Sequence, residues 1–123
     1  IACDHAPHAR TDKEVEFEYA ANGISGLETS LSLSLNLIHS KILSWPELVS
    51  RMSTRPARIL NLPKGTLKEG ADADITVIDP LLPWTVDVQV FRSRGKNSPF
   101  HGRQMQGKAL MTIVGGEIKY DGR

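Results

Sequence analysis

The residues best placed to do chemistry stand at the start of the chain, in Ile1-Ala2-Cys3-Asp4-His5-Ala6-Pro7-His8. A short apolar run breaks there into an acid, two imidazoles and a proline. Such a run reads as a buried strand that delivers polar side chains at its C-terminal end, where α/β barrels carry their chemistry. Asp4 is the candidate catalytic residue: a carboxylate at a strand end can ligate a metal or move a proton, and the strand fixes its direction. An aspartate before a loop also reads as a turn or helix cap. His5 and His8 form a His-x-x-His on a Pro-containing turn, unlike the i, i+4 helical pair of a metalloprotease. No Cys cluster or His-x-His pair accompanies them, so three or four metal ligands cannot be assembled from this chain. His39 and His101 are isolated and read as exposed or capping residues.

Those residues need elements to hold them. Arg10 to Glu18 is charge-dense and reads as an exposed loop or frayed helical turn, and Asn22-Gly23 accepts positive φ and favours a tight turn. Ser25-Gly26-Leu27-Glu28 has the spacing of a capping box. The alternating Leu31 to Leu37 stretch after it has strand periodicity. Leu27, Leu31, Leu35 and Ile38 also lie on one helical arc, so a helix is expected, widened by Leu33 and Leu37. A second capping box, Ser44-Trp45-Pro46-Glu47, opens a helix whose inward residues would be Leu48, Val49 and Met52, and a third short helix spans Thr54 to Leu60. From Lys64 the character turns to β. A strand from Ala73 stops at Pro80, Trp84 to Val90 is a weaker strand, and Arg92 to Lys108 reads as a long ordered loop. Gly115-Gly116 joins the two strands of a hairpin.

With 123 residues, 40% apolar and 24% charged, the chain has the length and composition of one soluble domain, and a formal net charge of +1 makes no global case for nucleic acid or a membrane surface. From Val88 to Gly116 there is no acid, while Arg92, Arg94, Lys96, Arg103 and Lys108 fall there, a pattern expected of a solvated loop face. The single cysteine, Cys3, excludes an internal disulfide, suits a reducing cytosol and is expected to be a buried small residue. No signal peptide or spanning segment is expected. The start inside an apparent strand, without Met, suggests a piece of something longer.

Five segments in one order resemble the C-terminal portion of the bacterial class I dihydroorotases, of the amidohydrolase superfamily. They are Asp4 to His8, Gly23 to Thr29, Arg55 to Leu60, Gly65 to Gly70 with Ala73-Asp74, and Asn97 to Gly102. Hydantoinases and allantoinases share parts of this pattern. The resemblance implies an α/β fold: residues 1–62 would be the last strand and helices of a metal-dependent hydrolase TIM barrel, and residues 63–123 the C-terminal strands of a composite β-sandwich. It implies zinc-dependent, reversible cyclisation of carbamoyl aspartate to dihydroorotate in pyrimidine synthesis. Asp4 would ligate zinc and exchange a proton between the attacking hydroxide and the amide nitrogen. His8 would hydrogen-bond the substrate carboxylate, and Asn22 and Gly23 would present backbone groups to the ring. The family's His-x-His strand, carboxylated lysine and carboxylate-binding arginine have no counterpart here, so the chain alone is expected to be inactive and to need the N-terminal part of the same enzyme. A cytoplasmic homodimer is implied, with aspartate transcarbamoylase as a further partner. Another cyclic amidase, a catalytically silent dihydroorotase-like partner protein and an independent α+β binding module stay open as alternatives.

Overall fold

A computed structural model describes residues 1–122. Helices α1 (Arg10–Lys13), α2 (Leu27–His39), α3 (Trp45–Val49) and α4 (Arg55–Ile59) precede three strands, β1 (Ile75–Thr85), β2 (Gln104–Val114) and β3 (Glu117–Asp121). The strands form one antiparallel sheet in the order β1-β2-β3. The β2–β3 hairpin turns on Gly115 and Gly116, both at positive φ, as a two-glycine connection between strands requires.

The second capping box forms as expected: Glu47 Oε2 accepts from the Ser44 backbone N–H at 2.8 Å and from its hydroxyl at 2.7 Å. The two helices expected after it are one helical run. A π-helical turn, Ser50–Thr54, joins α3 to α4 just ahead of Pro56. Proline offers no N–H and its ring crowds the carbonyl four residues back, and a widened turn accommodates both problems without ending the helix. Of the expected inward residues only Leu48 is buried, whereas Val49 is 53% exposed.

Strand β1 does not stop at Pro80. The Asp79 carboxylate accepts from the N–H groups of Leu81 and Leu82 at 2.9 and 3.0 Å, and the ladder resumes at Pro83 opposite Gln106. The proline therefore sits in a bulge, where its missing N–H costs no ladder bond. Trp84 and Thr85 complete this strand, and Val88–Val90 is a 3-10 turn, so the weaker strand expected there does not exist as a unit. Strand β2 likewise begins at Gln104, which shortens the expected loop.

Helix α2 forms where expected, but of the leucine arc only Leu35 is buried, beside small polar residues. Thr29, Ser32, Ser34 and Leu35 are buried, while Leu27 is 60% exposed. Small polar residues win because the sheet backbone comes very close. Ser32 Oγ donates to Gly107 O at 2.5 Å, and Trp84 Nε1 donates to Ser32 Oγ and Gly107 O at 3.1 and 3.2 Å. Beyond this contact Val86, Val88, Phe91 and Met105 form the apolar core, with Leu33, Trp84 and Phe100 packed against it. The basic stretch is only partly a solvated face. Arg92 lies over the Tyr120 ring, Arg103 over Phe100 and Lys108 over Trp84, so their charges rest on aromatic faces. No helix among the described residues is long and apolar enough to cross a membrane.

Candidate active site

The opening segment is not a strand in a ladder. A strand is stabilised by neighbours on its edges, and this segment finds one contact of that kind, a parallel bridge between His5 and Ile24 with Ala6 N–H donating to Ile24 O at 2.8 Å. Ile1 and Ala2 are exposed and Cys3 is half-buried, so the expected burial of this run is absent. The bridge nevertheless sets the chemistry-bearing residues beside the Asn22-Gly23 turn.

Asp4 has φ +45°, in the left-handed region, which aspartate tolerates better than most residues. Its carboxylate is exposed and makes no hydrogen bond or ion pair among the described residues. The turn and cap readings of Asp4 therefore fail, for either would have engaged that side chain.

His5 is occupied on both ring nitrogens. Nδ1 accepts from the N–H groups of Gly26 and Leu27 at 3.1 and 3.2 Å, so the ring proton lies on Nε2, which faces Ser93 Oγ at 3.4 Å. The imidazole thus caps α2 and takes up helix donors that would otherwise be orphaned. The capping box expected at Ser25 and Glu28 does not form. Ser25 Oγ donates to Gly95 O at 2.6 Å, and Glu28 accepts from Ser93 N–H at 2.9 Å and from its hydroxyl at 2.8 Å. Burial opposes the ionised form of Glu28. The Ser93 N–H and hydroxyl, its own backbone N–H and nearby His5 outweigh burial and hold its carboxyl below the ordinary value.

A carboxyl depressed on folding adds stability that is complete above its unfolded pKa and is lost as pH falls through the folded one. We therefore expect the full-length protein to lose thermal stability as pH falls below about 4.3. Glu28→Gln should lose less than wild type over the same range, as read from melting midpoints at pH 6 and 3.5. An equal loss in both proteins would remove Glu28 from that account.

His8, Asn22 and Gly23 come together. His8 Nε2–H donates to Asn22 O at 2.8 Å, which leaves Nδ1 as the ring position open to a ligand. Gly23 has φ +101°, and a Cβ there would stand 2.6 Å from Ala6 Cβ and 3.9 Å from His8 Nε2. Only glycine allows the turn this close approach. Lys13 Nζ adds bonds to Ala21 O and Gly23 O at 2.5 and 3.2 Å.

Sequence reading missed Asn97 and Ser93 as supports of the site. Asn97 stood within a motif but in a stretch read as loop, and its partners are 72 to 91 residues away. A concavity of about 480 Å³ lies between α2 and the sheet, lined by Leu27, Leu31, Trp84, Phe91 and Tyr120 among others, and none of Asp4, His8, Asn22 or Gly23 borders it. His101 caps the 3-10 turn, its Nδ1 accepting from Val88 N–H at 3.3 Å, and His39 is exposed.

The amidohydrolase family matches residues 34–120, and the chain belongs to that family. Over 120 residues, 98% of the chain, it is 62% identical to the dihydroorotase of Syntrophus aciditrophicus and spans 28% of that relative's length. Among solved structures it is similar to the L-hydantoinase (dihydropyrimidinase) of Arthrobacter aurescens, at 38% identity and TM-score 0.79, over 85% of this chain and 24% of that one. The dihydropyrimidinase of Brevibacillus agri superposes with TM-score 0.88 at 25% identity, over 97% of this chain and 27% of that one. The fold is accordingly that of the C-terminal end of an amidohydrolase TIM barrel with a small antiparallel sheet after it.

The family implies a metal cofactor. Among the described residues no group of three or more His, Cys, Asp or Glu converges to hold one. His5 has no lone pair left, and His8 has committed Nε2 to Asn22. Asp4 fits as a single carboxylate ligand, because its oxygens are exposed and unpartnered among the described residues.

Proposed function

We propose that these residues form part of the active site of a dihydroorotase, the zinc-dependent enzyme that interconverts carbamoyl aspartate and dihydroorotate. What supports the reading is the unpartnered Asp4 carboxylate one residue from the His5 clamp, with His8, Asn22 and Gly23 gathered at the bridged turn. The 62% identity to a dihydroorotase adds to it. The division into barrel residues 1–62 and sandwich residues 63–123 is part of the same proposal.

In the hydrolytic direction one water adds to the ring carbonyl and the amide C–N bond breaks. The chemistry supplied by bound zinc is Lewis acidity, which polarises that carbonyl and acidifies water. Asp4 would be one zinc ligand, and the remaining ligands would come from sequence outside this chain. Asp4 also accepts the proton that the attacking water loses and returns it to the ring nitrogen as the C–N bond opens, so atoms and charge balance. In cyclisation the same carboxylate takes the proton from the ureido nitrogen. His8 would turn Nδ1 to the substrate and, when both ring nitrogens carry protons, donate from it to the carboxylate, while its Nε2–H bond to Asn22 O keeps the ring in register with the turn. The backbone of Asn22 and Gly23 would meet the pyrimidine ring edge, on a turn that admits no side chain at residue 23 because its Cβ would strike Ala6. The reading further implies a cytoplasmic homodimer able to associate with aspartate transcarbamoylase.

The likeness to hydantoinases supports a second reading, a cyclic amidase with another ring. Assay of the full-length protein carrying this sequence, with bound metal measured on the same sample, separates the two. Turnover of dihydroorotate and carbamoyl aspartate with bound zinc is expected. Turnover of hydantoin or dihydrouracil in preference would overturn the first reading and establish the second.

A further inference from the structure

The connection between the 3-10 turn and β2 is held against the site, and one side chain does most of the holding. Asn97 Oδ1 accepts from the His8 backbone N–H at 3.0 Å, and shares the single Ser25 hydroxyl proton, at 2.9 Å, with Gly95 O. Asn97 Nδ2 donates to Ala6 O at 3.0 Å and Gly23 O at 3.3 Å. Its backbone carbonyl accepts from Ser25 N–H at 3.1 Å. Both amide hydrogens and both oxygen lone pairs are thereby used. The two carbonyls on one side and the N–H on the other allow only this orientation of the amide. The connection is anchored just ahead of Asn97 as well. Ser93 is bound to Glu28, and a Cβ on Gly95 would stand 2.7 Å from Pro7 Cβ.

We infer that Asn97 is a positioning residue for substrate binding: its amide locks the Ala6–His8 segment to the Gly23–Ser25 turn, so that His8 and the turn meet the ring as one rigid surface. The inference rests on the dihydroorotase reading for its substrate and on geometry alone for the lock. The Asn97 side chain has no donor or acceptor left for the substrate, so its effect passes through the groups it holds. Fixing a loop before binding removes an ordering cost that would otherwise weaken affinity.

The test uses the full-length enzyme. Asn97→Asp keeps the shape and the acceptor for His8 N–H but sets an oxygen against Ala6 O and Gly23 O. Asn97→Ala removes every side-chain bond. For both variants KM for dihydroorotate should rise about tenfold or more, with kcat within about threefold and zinc content unchanged. Hydrogen exchange at the His8 amide should accelerate about tenfold in Asn97→Ala and much less in Asn97→Asp, with exchange in β2 and β3 unaltered. An unchanged KM, or faster exchange spread evenly over the whole chain, would overturn the inference, the second outcome meaning that Asn97 only supports the fold. Failure of the wild-type enzyme to act on dihydroorotate sinks the substrate reading instead. The exchange at His8 would still decide whether the lock exists.

Discussion

Asp4→Asn in the full-length enzyme is expected to lower kcat by about a thousandfold or more while the protein stays folded. Asparagine is the right replacement because it tolerates the left-handed φ of +45° that this position adopts. An alanine would mix backbone strain with lost chemistry. The side chain is exposed and makes no bond to any described residue, so neutralising it removes nothing that holds the fold together. The melting midpoint of the metal-free protein should therefore stay within about 1 °C, as for surface changes away from special features. Zinc content should fall as well, since an amide is a poorer ligand than a carboxylate. Turnover within tenfold of wild type would mean that Asp4 is a bystander and that the proton is moved by another group.

Gly107→Ala should be the most damaging small change to the scaffold. Gly107 has φ +90°, and a Cβ there would lie 2.2 Å from Leu35 Cδ1 and 3.1 Å from Pro80 O. Leu35 is fully buried and cannot swing away, and the Pro80 carbonyl belongs to the bulge of β1. Helix α2 would be pushed off the sheet, and the bonds from Ser32 and Trp84 to Gly107 O would be lost. Positive φ and overpacking together suggest a loss of about 2–4 kcal/mol, measured by urea unfolding of the full-length protein. The double variant with Leu35→Ala should cost about 1–2 kcal/mol less than the two single losses added, since the truncated side chain relieves the clash. Strict additivity would show that the clash is absorbed elsewhere.

The two predictions draw on different kinds of information. Asp4 was marked as a chemical residue by its neighbours in the sequence, with His8 and the Asn22-Gly23 turn named beside it. Gly107 falls inside the stretch from Arg92 to Lys108 that reads as loop. Its importance appears once α2 is seen to lie on β2. The same contrast separates the two capping boxes. At Ser44 the box forms because both partners lie within one turn and nothing else reaches them. At Ser25 the same spacing fails because Gly95 and Ser93 compete from 70 and 65 residues away, and His5 takes over the helix donors. Leucine periodicity found α2 and its buried Leu35 but not the small polar residues buried beside it, which the close approach of the Gly107 backbone favours.

By itself the sequence determined what is local: the positive φ of Gly23, the capped helix at Ser44 and the two-glycine hairpin. These depend on steric limits and hydrogen bonds within a few residues, which are the same wherever the segment is placed. Only the tertiary structure decided that Pro80 sits inside a strand, that His5 serves a helix end and not a metal, and that Asn97 ties His8 to the turn. Each of those outcomes is a choice among competing partners distant in sequence. That choice is made by which backbones pack closely enough to exclude water, and no local pattern contains it.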